Sequence, residues 1–374
     1  MCVTRSERAQ PSAQLAPLLY ERVAEHYLPT ARPASVSVRV ADAPELDCSY
    51  VLGERLTMSR TVASADAVIT LTHGALTWAL AEPSAFDWRN EAFLRACNGC
   101  FQVAGETRFA YYWLQLLKRP EPAARAALAR ARAVAPAALA TVPATTRCDR
   151  AAMLDAVRCS TPLHLQGVLD WPAVQWDCVE WDARYGDIVL REAAAGGDPL
   201  RLRDVLPVPA RARDAGHGDQ HRGVPPPYTD GCLLPDEFAP LFALPGLPAD
   251  AFSAAQLWSG PRRDSVVTGL HCDIASSFLA QVYGCKKVRL FAPGQSDLLY
   301  VVEAFNSHQL CCVNADKPDL TRFPRFAQAT YADLILEPGD LLIVPTGWYH
   351  CTWALDDVLS VSRFMRDEVA QRLA

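Results

Sequence analysis

His271 and Asp273 stand two residues apart in the stretch LHCDIASSFLAQVYGCKKVRLF, just ahead of a strand-like run that carries a lysine. On an extended segment, residues i and i+2 point to the same side, so these two side chains can grip one ion. A third ligand has to come from further along. Of the downstream histidines, His308 lies in the polar stretch EAFNSHQLCC, whereas His350 follows a compact turn and an apolar strand in PGDLLIVPTGWYHCTWALDD and then opens another strand. His350 is the better third ligand. Two histidines and one carboxylate on one face leave metal positions open, the arrangement of non-haem Fe(II) sites that hold a cosubstrate and oxygen together. Zinc on the same ligands would suit hydrolysis, although nothing near them offers an obvious general base.

Lys286 adds weight to the pair. Alternation in KKVRLF places Lys286 with Val288 and Leu290 on one face and Lys287 with Arg289 and Phe291 on the other. If the Val/Leu face points inward, an ammonium sits inside the protein. Burying it unpaired costs several kcal/mol, so it needs an anion from the protein or from a ligand. Arg363, in SVSRF, is the rival anchor, since its guanidinium suits bidentate pairing with a carboxylate.

The elements that must position these groups are mostly short strands. GDIVLREA, the 255–260 region, SFLAQVYG, KKVRLFAP, ADLILEPGD, DLLIVPTG and DDVLSVSRF recur between Gly, Pro and Asp clusters, which argues for a β-barrel or sandwich. Between 201 and 250 a proline-dense segment containing His217 and His221 reads as a long surface loop. Upstream the pattern changes. SAQLAPLLYERVAEHYL has apolar residues at helical spacing, ASVSVRVA alternates, AVITLTHGALTWALA fits a buried strand or helix, and the aromatic-rich segment 90–118 favours helix. The Ala/Pro-rich run after it marks a candidate boundary, giving a mostly helical region 1–142 of unknown role and a β-rich domain 143–374. His26 and His73 are expected to be structural.

With 374 residues, half of them hydrophobic, and a formal net charge of −6, the chain can bury two cores and presents no basic surface for nucleic acid. It has no apolar run long enough to span a bilayer and no secretory h-region at its start, so an intracellular, cytoplasmic protein is expected, without a membrane partner. Thirteen cysteines without a repeating spacing fit thiols in a reducing compartment, and the lone CxxC of Cys97 and Cys100 reads as structural.

Four long, ordered segments carry a resemblance: LHLQGVLDWPAVQW, LHCDIASSFLAQVYGCKKVRLFAP, VNADKPDLTRFPRFAQA and LEPGDLLIVPTGWYHCTWALDDVLSVS. They resemble the Jumonji-C (cupin-like) Fe(II)- and 2-oxoglutarate-dependent oxygenases, in particular their protein (arginyl) hydroxylase branch. The resemblance implies a mainly β, double-stranded β-helix (jelly-roll or cupin) catalytic domain. It makes His271, Asp273 and His350 the iron ligands and Lys286 the holder of the distal 2-oxoglutarate carboxylate, a role shared with Tyr228. Thr268 matches a small hydroxyl residue on an adjoining strand, and Ser277 stands near the cosubstrate where the branch usually has asparagine. Trp258 falls beside the substrate, and Glu192 matches a carboxylate that could receive a cationic side chain. Ile274 in place of a common proline, a longer turn before His271 and Arg363 in place of an aromatic are departures.

The implied reaction consumes 2-oxoglutarate and O2 and hydroxylates an unactivated C–H bond of a protein or peptide side chain, releasing succinate and CO2. A free amino acid or biosynthetic peptide, an N-methyl group, or a non-catalytic cupin-type binding role are the alternatives. A homodimer is compatible with all of them. Cys272 and Cys351, next to ligands in sequence, are expected to be sensitive to oxidation.

Overall fold

The computed structural model of the chain describes residues 12–30, 33–60, 64–83, 101–191, 198–207, 228–229, 231–244 and 246–366. These fall into two compact units. One comprises the described residues of Met1–Arg125, Glu192–Asp198 and Tyr300–Cys312, the other those of Ala126–Arg191, Pro199–Leu299 and Val313–Ala374.

In the first unit, helix α1 (Ser12–Ala24) buries Leu15, Leu19 and Val23, one stripe at four-residue spacing. The alternating segment is strand β1 (Ala34–Val40), at the centre of a five-stranded sheet with β2 (Cys48–Leu52), β3 (Leu56–Ser59), β4 (Ala67–Leu71) and β5 (Phe101–Gly105) in the order β3-β2-β1-β4-β5. AVITLTHGALTWALA divides between β4 and helix α2 (His73–Ala81), where the Thr72 hydroxyl accepts the Ala75 N–H and caps the turn. The helix expected across 90–118 is corrected in part. Phe101–Gly105 is a strand paired antiparallel with β4, and helix α3 (Thr107–Leu116) starts only after it. Gly105 forces that break, because it has φ +78 and a Cβ there would lie 2.4 Å from the Asp66 carbonyl oxygen. Helices hold most of the regular structure described before residue 142, with this sheet among them.

The second unit is built mainly on antiparallel strands, with Ala144–Thr145 and Leu163–Leu165 parallel at one edge. Its larger sheet takes in β6 (Ala144–Thr145), β7 (Leu163–Leu165), β10 (Cys232–Leu233), β11 (Gln256–Gly260), β13 (Ser277–Tyr283), β17 (Leu341–Val344) and β19 (Val358–Phe364), in the order β10-β11-β19-β13-β17-β7-β6. A second sheet contains β12 (Thr268–Asp273), β18 (Tyr349–Ala354), β14 (Lys286–Phe291) and β16 (Ala332–Leu336) in that order. A short ribbon of β8 (Val189–Arg191) and β9 (Leu200–Arg201) stands apart from both, and β15 (His308–Leu310) belongs to the first unit. Val288 and Leu290 from one sheet and Leu342 and Val344 from the other pack together with Trp348, and Leu279 leans against them. This is the double-sheet jelly roll that the resemblance implied, and it agrees with the barrel or sandwich read from the many short strands.

The opposite face of the larger sheet carries Phe278, Ile343, Leu359 and Val361. They pack against helices α4 (Arg150–Arg158) and α5 (Cys178–Tyr185) and against Phe238 and Phe242. The surface loop expected across 201–250 is therefore corrected: Leu202, Val205, Leu234, Phe238 and Phe242 are core residues. Single apolar side chains on short 3-10 turns give no extended period, so the prolines and polar residues around them dominate the sequence signal. Residues 208–227, with His217 and His221, and residues 84–100, with Cys97 and Cys100, lie outside the described residues. No helix among the described residues is long and apolar enough to cross a membrane.

Candidate metal and cosubstrate site

Strands β12 and β18 are antiparallel neighbours, and their register sets His271 directly opposite His350. The two ring centroids are 4.3 Å apart. Asp273, on the same face of β12, places Oδ1 3.8 Å from His271 Nε2 and Oδ2 3.7 Å from His350 Nε2. One ligand atom from each of the three lies within 4.8 Å of the others, and all three residues are buried. The second nitrogen of each ring is used by the backbone. His271 Nδ1 donates to the Gly269 carbonyl at 2.7 Å and His350 Nδ1 to the Trp348 carbonyl at 3.0 Å. Those bonds select the tautomer that presents Nε2 as a lone pair toward the carboxylate. The turn before His350 is tied back by Gly347 N–H donating to the Asp273 carbonyl at 2.9 Å. Two neutral imidazoles and one carboxylate converging in this way fit a first-row divalent metal with positions left open.

Lys286 follows from the next strand pairing. β14 runs beside β18 with Leu290 opposite His350, Val288 opposite Thr352 and Lys286 opposite Ala354. Lys286 is thus on the triad's face, four residues or about 13 Å of strand along from the His350 position. The Val/Leu face is the inward one, a choice that alternation alone left open. Lys287 and Arg289 point outward to Asp333, at 2.8 Å for the lysine and 2.7 and 2.8 Å for the two guanidinium nitrogens. Lys286 is only 1% exposed, and burial pushes its ammonium from the ordinary 10.5 down to about 7, with no carboxylate of the described residues raising it. Its Nζ donates to the Tyr228 hydroxyl at 2.8 Å.

Tyr228 is set in place by the edge of β11. Thr229 N–H donates to the Ser259 carbonyl at 2.8 Å, and a Cβ at Gly260 would lie 2.8 Å from Tyr228 Cα, so only glycine admits the tyrosine this closely. Burial raises the phenol above its ordinary 10, while the facing hydroxyls of Thr268 and Thr352 oppose that shift. Thr268 is on β12 itself, the same strand as His271 and not an adjoining one. Three residues separate it from His271, a spacing that would normally put the two on opposite faces. The register shift between them brings Thr268 opposite Thr352 just as His271 is opposite His350.

Ser277 is buried on β13 with the parity of Leu279, which packs between the sheets, so it faces inward from the opposite wall. The Trp258 indole N–H donates to the Ser362 hydroxyl at 2.8 Å, and the ring covers Gly231, where a Cβ would sit 3.0 Å away. Glu192 lies outside the described residues. Arg363 is turned to the far side of β19 from Ser362. Its guanidinium donates to the carbonyls of Ser253, Phe242 and Ala249 at 3.1, 3.3 and 3.3 Å and lies 5.4 Å from the Phe252 ring. It fastens backbone and does not face the site.

His308 is in the first unit, where its Nδ1 is 3.0 Å from the Nζ of Lys118. Cys272 and Cys351 alternate away from the ligand face and are fully buried, and burial pushes the Cys351 thiol up to about 12. The sequence neighbourhood that suggested oxidation sensitivity therefore does not put either thiol on the ligand face. Thr352 and Ser362 were not anticipated. The i+2 spacing from His350 and the alternation of VLSVSRF were the signals that could have found them.

The family described as Cupin-like domain matches residues 216–369. Lysine-specific demethylase 8 of Xenopus tropicalis is 39% identical over 105 residues, 28% of this chain and 23% of the relative. A tRNA wybutosine-synthesizing protein 5 of Danio rerio is 38% identical over 96 residues, 26% of this chain and 28% of the relative. The chain thus spans about a quarter of the length of these curated relatives. The solved structure of YcfD, a ribosomal oxygenase from Escherichia coli in complex with cobalt and succinic acid, is 21% identical with a TM-score of 0.21, covering 32% of this chain and 25% of that one. Residues 216–369, which carry most of the jelly-roll strands and the buried His271/Asp273/His350 cluster, thus match the Cupin-like domain family, and the chain is similar over this stretch to the relatives named above.

Proposed function

We propose that this chain hydroxylates an unactivated C–H bond of a protein or peptide side chain, consuming 2-oxoglutarate and O2 and releasing succinate and CO2. The observation that carries the cosubstrate reading is Lys286, a buried ammonium beside a metal-competent cluster with, among the described residues, only a phenol hydroxyl bonded to it. A buried cation of that kind requires an anion, and a dicarboxylate that chelates a metal at one end supplies it at the other. Residues 143–374 are taken as the catalytic region.

In this reading His271 and His350 hold iron through Nε2 and Asp273 through its carboxylate. Bound iron, with 2-oxoglutarate and oxygen, supplies the oxidising power for C–H cleavage. The chain's own residues do the rest. Lys286, Tyr228 and Thr268 fix the distal carboxylate, and Ser277 lines the opposite wall. The apolar packing around them keeps water from the reacting centre. Trp258, steadied by Ser362, borders the side on which the substrate enters, and Glu192 is assigned to a cationic substrate group. On an N-methyl group the same step ends in demethylation, a reading favoured by relatives that bear that name.

Purified protein with Fe(II), ascorbate and 2-oxoglutarate is expected to form succinate slowly alone and faster with its substrate. Basic peptides, methylated peptides and free amino acids form the screen. Binding of metal and 2-oxoglutarate without succinate formation on any of them would point instead to a cupin-type binding module.

A further inference from the structure

Thr352 lies on β18 two residues beyond His350 and two before Ala354, opposite Thr268 on one side and Val288 on the other. It is therefore on the inner face, about 7 Å of strand from the His350 position and the same from the Lys286 position. The residue is 4% exposed, and its Oγ1 is wholly buried; it faces the Tyr228 phenol but, among the described residues, makes no hydrogen bond of ordinary distance and angle. A buried hydroxyl left short of good hydrogen bonds is costly. Valine has the same shape, suits a strand equally well and would carry no such cost. The Tyr228 phenol takes up only part of what this hydroxyl can donate and accept, and a ligand would complete it.

Resting on the oxygenase reading above, we propose that Thr352 is a fourth donor to the distal carboxylate of 2-oxoglutarate, completing a set with Lys286, Tyr228 and Thr268. An ionised carboxylate offers about four lone-pair sites. The Lys286 ammonium is joined to the Tyr228 hydroxyl, and Tyr228 in turn faces both threonines, so the four groups converge on one place. Three hydroxyls around one ammonium can satisfy both oxygens of a carboxylate. They also lie too far along the strand from the metal ligands to serve a shorter 2-oxo acid bound there.

The test uses the full chain loaded with redox-silent Mn(II), with affinities measured by calorimetry for 2-oxoglutarate and for 2-oxobutyrate, which lacks the distal carboxylate. Thr352→Val is expected to weaken 2-oxoglutarate about tenfold or more, the loss of a hydrogen bond to a charged acceptor. It should leave Mn(II) and 2-oxobutyrate affinities unchanged and the thermal midpoint equal or higher. Thr352→Ser, which restores the hydroxyl, is expected within about threefold of wild type. If Lys286→Ala loses 2-oxoglutarate but Thr352→Val does not, the role given to Thr352 is overturned while the oxygenase reading stands. If wild type binds no 2-oxoglutarate, both fall.

Discussion

Lys286 and Tyr228, 58 residues apart in sequence, meet with Nζ 2.8 Å from the phenol oxygen, and the ammonium also lies 5.5 Å from the ring centroid. Neither neutralises the other. Burial drives the lysine down to about 7 and the tyrosine above its ordinary range, so the pair offers donors and positive charge without an anion among the described residues. A site left in this electrostatic debt favours an anionic ligand that brings its own charge.

The first consequence is a pH dependence of stability. Between about 7 and 10.5 the unfolded chain keeps the Lys286 proton and the folded chain has released it. The unfolded state binds more protons there, so this residue makes the ligand-free protein more stable as pH rises through that window, and its burial cost is fully felt below it. Lys286→Met is expected to be more stable than wild type by about 1–4 kcal/mol at pH 6, with the difference shrinking toward pH 10. Denaturant unfolding at both pH values measures this, and an advantage that does not change with pH would refute it.

Ligand affinity should depend on the same proton. Only the ammonium pairs with a dicarboxylate, so 2-oxoglutarate affinity is expected to fall as pH rises above about 7, with proton uptake on binding near pH 8. Calorimetry in buffers of different ionisation enthalpy reads that uptake directly. Lys286→Ala should reduce affinity by a hundredfold or more, corresponding to about 3 kcal/mol or more.

Arg363→Ala should behave in the opposite way. Its loss leaves three backbone carbonyls without the guanidinium that now bonds them, which is expected to cost about 1–3 kcal/mol of stability. The 2-oxoglutarate affinity of the folded variant should be unchanged. A lowered affinity at full stability would return Arg363 to the site.

Gly260→Ala tests how Tyr228 is held. The added methyl would meet Tyr228 Cα at 2.8 Å and Cδ2 at 2.9 Å, so the tyrosine must move. Weaker 2-oxoglutarate binding with unaltered Mn(II) binding is expected. An unchanged affinity would show that the tyrosine can shift without loss.

Metal binding should collapse when any of the three ligands is removed. Asp273→Ala and His350→Ala are expected to abolish both the rise in thermal midpoint on adding Mn(II) and succinate formation. Retention of both would remove the cluster from the chemistry.

Local sequence was enough to bring out the chemistry carried by neighbouring residues. The two-residue spacing of His271 and Asp273 gives a shared face on any strand, and the alternation of Lys286, Val288 and Leu290 separates one lysine from the next. Both depend only on the two-residue period of an extended chain. The strand content of the second half was legible for the same reason. Period alone cannot say which face is inside, and it cannot count across an irregularity.

Tertiary pairing decided those points. Register with β18 set Lys286 on the triad's face, and the Phe242 carbonyl and the Phe252 ring receive Arg363 on the other side of its strand. The bulge in β12 rescued Thr268 from the wrong parity. Tyr228 reaches the lysine only because the chain returns along the edge of β11 beside a glycine. Each is a relation between residues distant in sequence, fixed by which strands exchange hydrogen bonds, and that pairing is settled only when the whole jelly roll closes around its core.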